Sequence, residues 1–223
     1  MRYAGWTGGL LYIPTHFREE RSEVLHEFIR THPFATLVTQ GPEGIIASHI
    51  PMILDARAGS MGTLRGHLAR ANPQWNGFSQ GTEALMIFNG PHHYISPSWY
   101  PSRTEHGKVV PTWNYVAVHA YGPIAIVEDR DRLLDHLRNL TDSQEAGNPD
   151  RWRVDDAPPE YVDGMMRGIV GIEIEIRKLE GKWKVSQNRS ATDREATAAR
   201  LREFGDENAV AVADLIESLD LPQ

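Results

Sequence analysis

Three apolar β-type runs come early in the chain, and the links between them are too short to hold a helix. Phe34 to Thr39 is closed by Gln40-Gly41-Pro42-Glu43-Gly44, and Ile45 to Leu54 reads as its partner. A second turn, Asp55 to Gly62, leads into Thr63 to about His67. Parallel neighbours need a crossover of a dozen or more residues, so these strands must pair antiparallel. Two long β segments follow, Glu83 to Ile95 and Val110 to Val127. Ile172-Glu173-Ile174-Glu175-Ile176 then alternates as a half-buried strand, and Gly181 is expected to turn it back into Trp183-Lys184-Val185.

Helices are expected at the periphery. Val24, Leu25, Phe28 and Ile29 share a face between Ser22, a candidate N-cap, and Thr31. A short helix is expected over Ala69 to Trp75. Leu133, Leu134, Leu137 and Leu140 mark another behind Asp129 or Asp131, and Pro158-Pro159 opens one holding Met165 and Met166. The tail from about Thr192 is helical, with Val212, Leu215, Ile216 and Leu219 on one stripe. Residues 1–20 read as an irregular or extended lead-in. This order predicts a mainly β fold, a closed small barrel with peripheral helices. With no repeat or composition break, residues 1–205 read as one domain and 206–223 as a helical tail.

At 223 residues with 40% hydrophobic content, the chain can bury a sizeable core. It has no cysteine, so disulfides, zinc-thiolate sites and thiol catalysis are excluded, and redox chemistry would need a bound cofactor. A net charge of −7 argues against a broad grip on nucleic acid. No apolar run approaches the roughly 18 residues of a membrane span, and the N-terminus lacks a signal-peptide core, so a cytoplasmic location is expected.

Three stretches are more polar and aromatic than a β core requires. The first, within Leu64 to Trp75, gathers Arg65, His67, Arg70, Asn72 and Gln74 at a strand end. The second runs from Phe88 to Tyr100, with Ser96 and Trp99, and resumes at Val110 to Tyr115 with Trp113 and Asn114. The third is Gly181 to Arg189, with Lys184, Gln187 and Arg189. Planar rings, neutral amides and hydroxyls, and guanidinium groups together suit a flat heteroaromatic cofactor with a phosphate tail. The histidines at 92, 93, 106 and 119 lack metal-ligand spacing, and no nucleophile elbow accompanies Ser96 or Ser98, so no metal and no catalytic residue is assigned.

Six segments carry a resemblance: His32 to Leu37, Ala47 to Pro51, Leu64 to Pro73, Tyr94 to Tyr100, Val110 to His119 and Gly181 to Arg189. They resemble the PaiB family over about residues 11–205, and the tail past Gly205 is the least family-like part. The family is described as FMN-binding negative transcriptional regulators, with a name tied to protease production and sporulation genes. It is similar to pyridoxamine-phosphate oxidases and haem-degrading relatives. The resemblance implies a six-stranded Greek-key split β-barrel of the FMN-binding type and a homodimer with the flavin between subunits. It implies phosphate contacts from His67, Arg70 and Asn72, with Arg65 beside them, and Ser48 or His49 at the isoalloxazine edge. The Trp183 to Arg189 stretch is similar to a strand that reaches the other subunit's flavin. An FMN-dependent oxidoreductase, or a haem-binding relative using His67, His49 or His119, is the rival expectation. Direct DNA binding is disfavoured: no helix-turn-helix is evident, and the tail arginines are offset by acids.

Overall fold

Strand β2 (Phe34–Gly41) buries Ala35, Leu37 and Thr39 and turns the residues between them outward, the period-two pattern of a strand with one covered face. It pairs antiparallel with β3 (Gly44–Pro51) over eight residues, from Phe34 opposite Pro51 to Gly41 opposite Gly44. The structure, a computed structural model, describes residues 11–41, 44–79 and 81–219. The expected lead-in over residues 1–10, Pro42-Glu43 of the first turn and the last four residues of the tail lie outside the described residues.

Further along the chain are β1 (Arg18–Glu19), β4 (Ile53–Asp55), β5 (Thr63–Ala69), β6 (Glu83–Ile95), β7 (Thr112–Val127), β8 (Ile169–Glu175) and β9 (Lys178–Lys184). The sheet is mainly antiparallel and follows the order β3-β2-β6-β7-β8-β5-β4, with β9 pairing to both β7 and β1. Among the described residues it has nine strands, against the six that the resemblance implies; β1 and β4 are only two and three residues long. The helices are α1 (Ser22–Thr31), α2 (Ser102–His106), α3 (Arg130–Gln144), α4 (Pro159–Met166), α5 (Ala191–Phe204) and α6 (Glu207–Glu217). None of the described helices is long and apolar enough to cross a membrane.

The chain divides into two compact units, Met1–Arg21 with Asn89–Val118 and Glu180–Gln223, and Ser22–Phe88 with His119–Leu179. In the second unit, Leu25 and Ile29 of α1, Leu64 and Leu68 of β5, and Ile172 and Ile174 of β8 are buried. β5 pairs with β8 over seven residues, from Thr63 opposite Glu175 to Ala69 opposite Ile169. In the first unit, α5 and α6 join at Gly205, whose φ of 69° is the left-handed helix stop, and Asp206 caps α6 by accepting from the Ala209 amide. Leu201, Val212 and Ile216 form the buried stripe of this pair.

Several boundaries differ from expectation. The run Ile45–Leu54 is two strands: the Met52 amide still donates to the Pro33 carbonyl at 2.9 Å, in register with the β2–β3 ladder, and β4 begins at Ile53. β4 then pairs with β5 instead of β2. Strand β9 runs straight through Gly181, and the bend lies at Ile176-Arg177. There the Arg177 amide donates to the Tyr121 carbonyl, so β8 and β9 are not partners of each other. The helix expected over Ala69–Trp75 is a 3-10 turn at Pro73–Gly77, and β5 continues to Ala69. Ser22 is the first residue of α1, not its cap, and of the two candidates behind α3 it is Asp129 that caps, accepting from the Arg132 amide.

Gly122 marks the tightest approach in the second unit: a Cβ there would lie 1.9 Å from the Glu175 carbonyl oxygen. Gly122→Ala is expected to destabilise the fold by about 1–3 kcal/mol or more, since the obstacle is backbone and cannot swing aside. Gly147→Ala, with nothing within 4 Å, should be close to neutral. Urea unfolding of both variants checks this, and equal midpoints would refute it.

Candidate functional site

The expected phosphate-binding stretch lies at the end of β5 in the second unit. Arg65 and His67 alternate with buried Leu64, Gly66 and Leu68, so both project from the same face of the strand. Arg65 is held there by two carboxylates, Asp55 at 3.0 Å and Glu173 at 2.8 Å, and Glu173 also accepts from Arg132 at 2.6 Å. Burial alone would raise the Glu173 pKa, but the two guanidinium groups outweigh it and hold the carboxyl below its ordinary range. His67 Nδ1 meets His136 Nε2 of α3 at 3.0 Å. Beside them a cavity of about 270 Å³ is lined by Arg65, Arg132, His136, Asn139 and Glu173.

One proton can sit between the two imidazoles, not two, and both rings are driven toward neutrality. Burial lowers the His67 pKa. Burial first, then the fields of His67 and Arg65, push His136 down to about 4.

Arg70 anchors the strand end. Its amide donates to the Gly168 carbonyl, its Nε and Nη2 donate to the carbonyls of Arg167 and Ile169 at 3.1 Å, and its own carbonyl accepts from Trp75 Nε1. Only Nη1 faces a charge, exposed Glu128 at 3.3 Å. A second cavity, of about 300 Å³, is lined by Arg70, Arg130 and Arg167 together with Glu128 and Asp163. Arg130 is paired with Asp163 at 2.6 Å, whereas Arg167 has no ion pair among the described residues.

Asn72 organises a neutral donor set. Its Oδ1 accepts from the Gln74 amide, capping the 3-10 turn, and its Nδ2 donates to Ser48 Oγ at 2.8 Å. Buried Gln74 donates in turn to Thr39 Oγ1 and the Ile46 carbonyl. Ser48 and His49 are neighbours on β3 and therefore face opposite ways; His49 Nδ1 pairs with Thr36 Oγ1 at 3.0 Å. The structure thus joins Ser48 to Asn72 and leaves His49 on the other face.

The remaining candidates belong to the first unit. Ser96 caps the turn Pro97–Trp99, accepting from the Ser98 amide. Trp99 packs against Phe204 and His93 at ring distances of 5.6 and 6.1 Å. Trp113 is 52% exposed and lies near His92 and Tyr94. Buried Asn114 donates to Ser186 Oγ at 2.9 Å. Gln187 accepts from the Val185 amide and donates to the Trp183 carbonyl. The Lys184 ammonium donates to Thr112 Oγ1 and the Trp113 carbonyl; burial, then the charges of Lys182 and Arg189, lowers its pKa. Arg189 stacks 4.6 Å from the centroid of the Tyr100 ring.

Sequence reasoning missed Arg130, Arg167 and His136. No local motif links them to Arg70 or His67, and only the β5–β8 register and the packing of α3 bring them there. Among the described residues there is no cluster of three or more His, Asp or Glu side chains that could hold a metal ion.

The fold is a mainly antiparallel sheet with peripheral helices that carries basic, amide and aromatic donor sets. The fold is shared with the FAD and haem binding protein from Mycobacterium smegmatis, at TM-score 0.55 and 16% identity over 75% of this chain and 73% of that one. It is likewise shared with the flavocytochrome Anf3 from Azotobacter vinelandii, at TM-score 0.55 and 12% identity over 75% and 69%. Residues 11–178 match the family described as "Putative FMN-binding domain". The chain is 35% identical over 209 residues to the protease synthase and sporulation protein PAI 2 of Bacillus subtilis (strain 168), covering 93% of this chain and 97% of that protein. It is 33% identical over 241 residues to an uncharacterized protein of Emericella nidulans, covering 92% and 96%. The chain belongs to the PaiB family of FMN-binding-domain proteins.

The histidine pair gives a pH dependence of defined sign. His136 has a folded pKa below its ordinary value, so the folded state binds fewer protons than the unfolded one on acidification. Its contribution is fully present above about pH 6.5, the ordinary His value, and is lost as pH falls toward about 4. His136→Gln is expected to flatten the loss of stability between pH 7 and pH 5, measured as the shift in urea midpoint. A variant with the wild-type slope would show that the pair does not govern it.

Proposed function

We propose that this chain binds FMN as a homodimeric split-barrel protein built on a six-stranded Greek-key core, and that its regulatory role works through the bound ligand. Arg70 carries the reading. Two backbone carbonyls orient its guanidinium, while its outer nitrogen meets only an exposed glutamate. An exposed ion pair is worth about 0–1 kcal/mol, so a phosphate dianion can take the place of Glu128, with Arg167, which has no ion pair among the described residues, on the same cavity wall. Both arginines lie within the span matched by the FMN-binding family. The Ser48–Asn72 pair offers a neutral hydroxyl and amide of the kind that suits the polar edge of an isoalloxazine ring. When bound, FMN supplies redox chemistry that a chain without cysteine cannot supply itself.

Regulation by gripping an operator fits poorly. A dimer doubles a charge that is already −7, so approach to a phosphate backbone is repelled at long range. The rival reading is an FMN-dependent oxidoreductase or a haem-binding enzyme, which the names of the two structural neighbours favour. For haem, His49 is the better candidate, because it is exposed whereas His67 is half-buried against His136; each ring uses its Nδ1 within the protein. One absorption spectrum of the purified protein separates these: flavin absorbs at about 450 nm and haem gives a Soret band.

Two outcomes are expected in solution. Arg167→Ala should weaken FMN roughly ten- to hundredfold, the loss of about 1.5–3 kcal/mol for one charge-assisted contact, while riboflavin binding stays unchanged. Equal binding of FMN and riboflavin by the wild type would end the phosphate assignment. The chain should also sediment as a dimer at micromolar concentration, covering exposed Tyr94, Val110, Trp113 and Phe204 of the first unit. A stable monomer would rule out that arrangement.

A further inference from the structure

Little fastens helix α3 to its unit. Of its fifteen residues only Leu133 and His136 are buried, with Leu134, Leu137 and Leu140 half-buried beside them. Its ties to other elements, Arg130–Asp163, Arg132–Glu173 and Arg138–Asp155, all run through largely exposed arginines, and such pairs add little. His136 stands in the stripe of Leu133, Leu137 and Leu140, where an apolar side chain would be expected. It is 6% exposed; its Nε2 meets His67 Nδ1 at 3.0 Å, and its Nδ1 is buried with no hydrogen-bond partner among the described residues. One of the two side chains that seat α3 is therefore a titratable ring.

The pair has no place for a further proton. While the two rings stay bonded, any added proton leaves His136 with an N–H at Nδ1. Either His136 is itself the imidazolium, or it accepts at Nε2 from a doubly protonated His67 and must carry its own proton at Nδ1. A buried donor without an acceptor is costly. The charged groups facing the ring give no relief. β5 presents Arg65 beside His67, and β8 presents Glu173, already taken by Arg65 at 2.8 Å and Arg132 at 2.6 Å. On α3 itself Arg132 and Asp135 line the same cavity, and Asp135 leans to Arg138 at 3.7 Å. β7 contributes Val127, while α4 and the turn Val154–Asp156 hold other parts of α3, through Asp163 on Arg130 and Asp155 on Arg138. Burial and the fields of His67 and Arg65 outweigh that of Glu173 and hold His136 down to about 4. Below about pH 6.5, the ordinary His value, a released His136 takes up a proton that the seated one refuses, so the released state gains as pH falls.

The same helix walls the cavity given above to the flavin phosphate, where its Arg130 and Leu133 stand with Arg70 and Arg167. Leu133 lines this cavity and the one beside His136 alike. We propose that His136 is an acid-sensitive latch: a proton taken from solvent releases α3 from β5 and β8, withdraws Arg130 and Leu133 from the phosphate cavity and lowers the affinity for FMN. The last step rests on the flavin reading; the release of α3 does not.

Hydrogen exchange of the full chain without FMN, corrected for the intrinsic effect of pH, reads the latch by itself. From pH 7 to pH 5 the opening of α3 amides should rise roughly tenfold or more relative to those of α1 in the same unit. His136→Leu, which completes the apolar stripe, should keep α3 closed at pH 5. His136→Gln keeps a polar group that does not titrate and should also lose the response; it serves if the leucine packs badly. A ratio in the wild type that does not change with pH, or the same rise in both variants, would overturn the proposal. FMN titrations over the same range then read the coupling. The phosphate takes up a proton of its own at about pH 6, which weakens binding in every variant alike. Beyond that common loss, the wild type should lose roughly tenfold more affinity than His136→Leu. Equal losses would overturn the coupling to the phosphate cavity. A chain that binds no FMN at pH 7 strikes the flavin reading only, and hydrogen exchange still decides the latch.

Discussion

The seven-residue ladder between β5 and β8 is the constraint on which the second unit depends. It sets Arg65 opposite Glu173 and His67 opposite Gly171, and it ends where Arg70 can reach the carbonyls of Arg167 and Ile169. A slip of one residue would send Arg65 and His67 into the core and Leu64 and Leu68 into the open. The register therefore fixes the fold and the donor geometry at once. Gly171, facing His67, suits this crowding: a Cβ there would press on the Val127 carbonyl at 2.8 Å and on Leu133 of α3 at 3.2 Å.

The cations are of two kinds. Arg65, Arg130 and Arg132 are each matched by carboxylates, so they act as ties between elements. Arg70 is oriented by backbone dipoles, and Lys182, Lys184 and Arg189 by carbonyls, a hydroxyl and aromatic faces. A carbonyl or ring can hold a cation in place without cancelling its charge. Such a group keeps most of its attraction for an incoming anion, whereas a guanidinium already neutralised must give up one partner to take another.

Much of the architecture was legible because it is written in local patterns. The turn-linked strands, the face of α1 and the cap of α3 each rest on residues a few positions apart. What failed was non-local. The split of β3 from β4 goes with a change of partner, from β2 to β5, and the bend between β8 and β9 with a bond from Arg177 to Tyr121, a partner more than fifty residues away. The donor-rich segment Arg65–Asn72 stood out by composition, yet which of its members are tied internally depends on Glu173, His136 and Arg167, about seventy to a hundred residues downstream. Sequence spacing carries no record of those pairings. The third stretch announced its aromatic and basic character, but not that Gln187 and Asn114 would be structural braces.

Ser186, left-handed at φ 68°, has a consequence for the order in which the chain assembles. A tight turn with glycine at that position could form by itself, within microseconds, from neighbouring residues. This one opposes its own local preference and is held by Asn114, seventy-two residues earlier. It must therefore wait for a distant strand to arrive, and loop closure over such a separation is slow. Arg189 and its neighbours become oriented only when the remainder of their unit is in place. A nascent or partly unfolded chain would carry the same charges without their arrangement, and only the completed fold presents them as a set.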